Sequence, residues 1–201
     1  MSTGLAISSN RDNKMPSVAY RSWTTTRRNQ LNEIEDAHTA IGGTGPGRRY
    51  ATEQINQAYA VMLAAQFQGY CRDLHTESVD YLVPKLTPKT FQASIRKMLT
   101  QNLQLKRSNA QPGSIGADFG RFGIDFWTEV EANDPRNVAG KIQLDELNRW
   151  RNEIAHQDFT SGTVLRLNQV QAWRKVCQRL AKSFDEVMFQ HLQGLTGTPP
   201  W

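Results

Sequence analysis

Two cysteines in 201 residues, no apolar run of membrane-spanning length and few alternating β-branched runs exclude several protein classes before any motif is read. Cys71 and Cys177 stand far apart without CxxC spacing, which argues against a disulfide framework and a zinc site. At helical positions they read as small core residues. With a mean hydropathy of −0.59 and no stretch of about 18 apolar residues, no segment is able to span a bilayer. The opening MSTGLAISSNRDNKMPSVAY has no continuous apolar core, so it is not a secretory signal; residues 1–20 read as a disordered leader. These absences suit a protein of the reducing cytoplasm. His38, His75 and His191 lack partners at metal-ligand or triad spacing and read as surface or capped residues, so neither a metal nor a cofactor is expected. The glycine-rich GGTGPGRR lacks the Lys-Ser/Thr ending of a phosphate-binding loop and follows a helix instead of a strand. It reads as a helix connection, with Arg48 and Arg49 placed to touch a polyanion near the start of the next helix.

What is present is positive charge and helical periodicity. Twenty-four Lys and Arg against nineteen Asp and Glu give a net charge of +5, and sixteen of the cations are arginine. That balance favours phosphate-rich partners. Apolar residues recur every three and four positions, which predicts an all-α bundle of five or six helices within residues 21–193, followed by a frayed tail, 194–201. A first helix is expected over about 22–41. Thr52 is placed to cap a long second helix with the stripe Ile55, Tyr59, Met62, Leu63, Tyr70 and Leu74. Pro84 and Pro88 bracket a turn, and Phe91, Ile95, Met98, Leu99 and Leu103 mark a third helix. RSNAQPGSIGADFGRFG, 107–123, reads as a long loop, and Ile124, Trp127 and Val130 suggest a short helix after it. Asn168 and Gln171 form an expected capping pair for a final helix striped by Leu167, Val170, Trp173, Val176, Leu180, Phe184, Val187 and Leu192.

The chemistry concentrates in the penultimate helix, about 141–156. At about 100° per residue, Leu144, Leu147, Trp150, Ile154 and Ala155 share one arc that must face the core. Asn148, Asn152 and His156 line an adjacent strip, and Arg151 falls inside the apolar arc near that border. A guanidinium there needs a partner or a wet cavity, because burying it alone costs several kcal/mol. Two structural roles stand beside a catalytic one: Arg151 binding a carboxylate or helix-end carbonyls, and His156 meeting the negative end of the helix dipole.

RNEIAH carries Arg-x4-His with an asparagine directly after the arginine, near the end of a penultimate helix and before a long amphipathic one. In this it resembles the HEPN superfamily of small helical bundles, whose signature is Arg-x4-6-His. The helix, glycine-rich turn and long second helix from LNEIEDAHTAIGG to CRDL are similar to the RiboL-PSP-type branch, and the resemblance covers about 27–193. It implies a ribonuclease of toxin or defence type, acting as a homodimer whose two motifs meet in a basic cleft, with a cognate antitoxin as inhibitory partner. Arg151 and His156 are then the catalytic pair with Asn152 in support, and Arg48, Arg49 and Asn148 are assigned to substrate binding. The chemistry is consistent with that role. RNA supplies its own nucleophile, the 2′-hydroxyl; histidine transfers protons near neutrality, and arginine stabilises charge growing on a phosphorane. The alternative, from another class, is a non-catalytic module of the same superfamily that binds RNA, a nucleotide or a partner protein.

Overall fold

The structure, a computed structural model, describes residues 15–42, 50–159 and 164–201. Eight helices and no strand are found among them. The first, α1, runs from Val18–Ser22 through a π-helical stretch, Trp23–Arg27, into Arg28–Gly42. Then follow α2 (Tyr50–Leu86), α3 (Lys89–Thr100), α4 (Gln104–Arg107), α5 (Pro112–Phe119), α6 (Phe126–Asn133), α7 (Asn137–His156) and α8 (Leu167–Thr196). The all-α expectation holds, and the expected count of five or six becomes eight.

The additional helices α4 and α5 fall in or beside the stretch expected to be a loop. Its glycines weaken the helical signal, but Pro112 occupies the first turn, where its missing N–H costs nothing. Ile115 and Phe119, four residues apart, are fully buried. Tertiary burial therefore stabilises a helix too short to persist alone. Phe119 stacks on Phe126 at 4.4 Å, and Phe184 meets both rings together with Trp127 and Phe67. This aromatic cluster joins α2, α5, α6 and α8 into one core.

The central helix is α2, which packs against α1, α3, α7 and α8. Of its expected stripe, Tyr59, Leu63, Tyr70 and Leu74 are buried, whereas Met62 is 40% exposed. Thr52 lies inside the first turn instead of at the cap, and Pro84 lies within the last turn. Only Pro88 stands between helices, as the residue preceding α3. α3 lays Ile95 and Leu99 against the core and leaves Phe91 and Met98 outside. Cys71 and Cys177 are buried and unpaired by disulfide, and burial pushes both thiols up, as core positions require. Trp127, Trp150 and Trp173 are core residues.

Described residues near both ends are held in place within the stretches read as leader and tail. α1 begins at Val18, inside the expected leader, because Ser17 accepts the Tyr20 N–H at 2.9 Å and the Glu77 carboxylate accepts those of Val18 and Ala19. Residues 1–14 lie outside the described residues. At the other end α8 continues to Thr196, Gly197 closes it in the left-handed region, and the Tyr81 hydroxyl bonds Thr198. Trp201 then packs edge-on to Phe189, so the tail expected to fray is docked. The start of α8 also differs: Arg166 occupies the cap position without a side-chain bond, and Asn168 and Gln171 lie inside the helix.

A polar network centred on the buried Arg174 and Tyr59 ties α1, α2 and α8 together. Arg174, 8% exposed, pairs with Glu35 at 3.1 Å, donates to the Tyr59 hydroxyl at 3.0 Å and reaches Asn32 and the Arg28 carbonyl. The Tyr59 hydroxyl in turn donates to Glu35. Burial, with the Glu35 hydrogen bond, keeps the phenol protonated far above neutrality.

Candidate functional site

α7 is fixed on the core by Leu144, Leu147, Trp150 and Ile154, all buried as the wheel predicts. Ala155, placed in the same arc, is exposed, in the last turn of the helix. Trp150 meets Trp173 of α8 with ring centroids 6.4 Å apart, and the Trp173 indole donates to Glu146. The rotation of α7 is thereby set, and with it the direction of the polar strip.

Arg151 is half-buried, as its place at the border of the arc requires. Its Nη1 donates to Asn152 Oδ1 at 3.2 Å. No carboxylate pairs with it among the described residues, so the first structural alternative for this arginine is not realised there. His156 is the last residue of α7 and is exposed. The carbonyl of Ile154 is met by Gln157, which sits in the left-handed region at φ 55° and donates through both its backbone N–H and its side-chain amide. The His156 ring makes no hydrogen bond among the described residues. Its position suits the negative helix end, and its imidazole faces water beside Asn152, one turn earlier on the same strip.

Asn148 lies deeper than its neighbours on the strip. It is 2% exposed and donates to the carbonyls of Ala110 at 3.0 Å and Leu144 at 2.8 Å. Its amide is thus turned toward the 108–111 segment and not outward. Arg48 and Arg49 lie outside the described residues.

The segment before α5 forms the other wall. Asn109 Nδ2 donates to Asn152 Oδ1 at 2.6 Å, so the motif is touched by a stretch that sequence reading treated as connection. That stretch is anchored at many points. Gln68 of α2 donates to the carbonyls of Leu105 and Ser108, both at 2.8 Å. The Trp127 indole donates to the Pro112 carbonyl at 2.7 Å. Asp118, completely buried, accepts the backbone N–H groups of Gln104 and Leu105 at 2.9 and 2.8 Å. Behind it lies His75, read as a surface or capped residue and only 1% exposed, with Nε2 3.2 Å from the Asp118 carbonyl and its ring against Phe119 and Phe122. Burial lowers its pKa to about 4, against the attraction of Asp118. Single-residue spacing gave no signal for Gln68, Asn109 or Asp118. The one available cue was Pro112, which marks a helix start and hence a fixed segment before it.

An all-helical bundle with an Arg-Asn-x-x-x-His strip at the end of its penultimate helix is a domain of the HEPN type. The family model described as RiboL-PSP-HEPN matches residues 24–190, and the chain belongs to this family. No curated protein and no solved structure matches the chain significantly. No helix among the described residues is long and apolar enough to cross a membrane.

Proposed function

We propose that this protein is an endoribonuclease of the cytoplasm that cleaves RNA by attack of the substrate's own 2′-hydroxyl, without a metal ion. The observation that carries the reading is Arg151: a half-buried guanidinium with no carboxylate partner among the described residues, on the same helix end as an exposed histidine. A cation held in this way is suited to an anion that arrives from outside. Membership in a HEPN-type family supports an RNA-related role for it.

In the proposed reaction the Arg151 fork takes non-bridging phosphate oxygens and stabilises the phosphorane. His156 moves a proton between the reacting oxygens and solvent. The 2′-oxygen bonds to phosphorus, the 5′-oxygen leaves with a proton, and a 2′,3′-cyclic phosphate remains. The second proton-transfer group comes from the partner chain of a homodimer. Arg48 and Arg49 guide the RNA backbone, and Asn148 acts at one remove, by holding the 110 carbonyl beside the motif. A toxin or defence role with a cognate antitoxin belongs to the same proposal.

The test is incubation of purified protein with RNA, with and without chelator, beside His156→Ala. Products ending in a 2′,3′-cyclic phosphate and a 5′-hydroxyl, formed at the same rate with chelator, are expected. Binding without cleavage would favour the non-catalytic reading, and a 5′-phosphate product or cutting of DNA would reject the mechanism.

A further inference from the structure

Among the described residues the Arg151 guanidinium is held by an amide oxygen and not by a charge, and that oxygen has a second donor. Asn152 Oδ1 accepts from Arg151 Nη1 at 3.2 Å and from Asn109 Nδ2 at 2.6 Å. Two donors use both lone pairs of a carbonyl oxygen. The Asn152 amide is thereby fixed in one orientation, oxygen inward, with its NH2 group directed away from both donors. Neither that NH2 nor the Nε and Nη2 of Arg151 makes a hydrogen bond among the described residues. They form a set of N–H donors suited to the oxygens of a phosphodiester.

Asn109 is able to impose this because its own backbone cannot shift freely. The carbonyl before it, on Ser108, is held by Gln68, and the carbonyl after it, on Ala110, by Asn148. Ala110 is itself buried, 2% exposed. Asn109 is thus presented from a segment pinned by α2 and α7, and its short side chain has few rotamers to lose. Arginine has many, so the amide relay removes freedom where the site most needs it removed.

We propose that Asn109 is a positioning residue of this site: through the Asn152 oxygen it sets the direction of the Arg151 guanidinium and of the Asn152 NH2 toward the scissile phosphate. The inference rests on the ribonuclease reading for its catalytic consequence, but not for its geometry. A merely structural Asn109 would tie the segment to α7 and affect melting alone.

The experiment compares Asn109→Ala, Asn109→Asp, Asn152→Ala and the double alanine variant of the full chain, on a single-stranded RNA that the parent protein cleaves. Asn109→Ala is expected to lower kcat roughly ten- to a hundredfold with KM little changed. Asn109→Asp should be worse than alanine, because a carboxylate turns the Asn152 amide over, or draws Arg151 to itself. The double variant should be no slower than Asn152→Ala, since both act through one oxygen. An aspartate variant as active as the parent, an unchanged kcat in folded Asn109→Ala, or losses that multiply would overturn the proposal. A parent that cuts no RNA defeats the ribonuclease reading but leaves the relay open to direct measurement. Side-chain NMR of Arg151 should then show slow guanidinium rotation in the parent and faster rotation in Asn109→Ala, and identical rotation in the two would overturn the positioning role itself.

Discussion

His156 ends α7 with its ring in water, and Arg151 sits half-buried a turn and a half earlier, so the two substitutions at the motif should differ in kind. His156→Ala removes a group without a hydrogen-bond partner among the described residues; the rate of RNA cleavage should fall roughly 10²- to 10⁴-fold, with melting temperature unchanged. Arg151→Ala should slow cleavage comparably and also remove one of the two donors to the Asn152 oxygen, so a measurable loss of stability is expected there alone. Circular dichroism melts beside cleavage rates check both; full activity in folded His156→Ala would reject the assignment. The other informative histidine is His75. Above pH 6.5 its ring is neutral in the folded and unfolded chain alike and adds no pH dependence. Between pH 6.5 and about 4 the unfolded chain binds a proton that the buried ring does not, so stability falls as pH falls. Below about 4 the loss is complete, at about 3 kcal/mol. His75→Gln keeps a donor for the Asp118 carbonyl and removes the titration, so urea midpoints of this variant should lose the slope across that window. An equal slope in both proteins would show that other groups carry it.

At the scale of elements, the site depends on helices that differ in how plainly the sequence announces them. α8 was legible because its eight stripe positions repeat a helical period, and seven of them are buried. The core arc of α7 was legible for the same reason, and with it the strip holding Asn152 and His156. α5 was not, since two glycines in eight residues obscure it and its stability comes from Ile115 and Phe119 meeting distant aromatics. Asn109 was illegible in a further sense: its partner is 43 positions away, and nothing local marks a contact of that range. The element that carries Asn109 is secured by Asp118, whose buried carboxylate holds the first N–H groups of α4. Asp118→Ala should therefore cost about 2–4 kcal/mol, the loss of charge-assisted bonds with a buried donor left unmet. Because the 108–111 segment loosens as well, cleavage should fall while the unfolding remains cooperative. Asp118→Asn, retaining one acceptor oxygen, should recover part of both; a stable and fully active Asp118→Ala would show that the segment is held by its other bonds.

At the scale of the whole molecule, the single histidine of the motif is the strongest reason to propose a dimer. Phosphodiester cleavage moves two protons, and the second group is supplied if two motifs face one another. The exposed side of α7 offers a surface for this. Val138, Ile142, Asp145, Arg149 and His156 lie within about 40° of one line along the helix, and all five are exposed. Val138 and Ile142, 51% and 70% exposed, are apolar residues beside the strip that carries the motif. A two-fold interface uses the same patch on each subunit, so one substitution alters it twice. Ile142→Arg puts an added charge into each copy of that patch and, Ile142 being exposed in the single chain, should not disturb the fold. Light scattering should give a dimeric mass for the parent at micromolar concentration and a monomeric mass for Ile142→Arg, with an unchanged melting profile at high dilution. Cleavage by the variant should fall with its dimer fraction and recover as protein concentration rises. A parent protein that is monomeric throughout this range and still cuts RNA would remove the dimer from the mechanism, and the second proton would then have to pass through a group within one chain or through water.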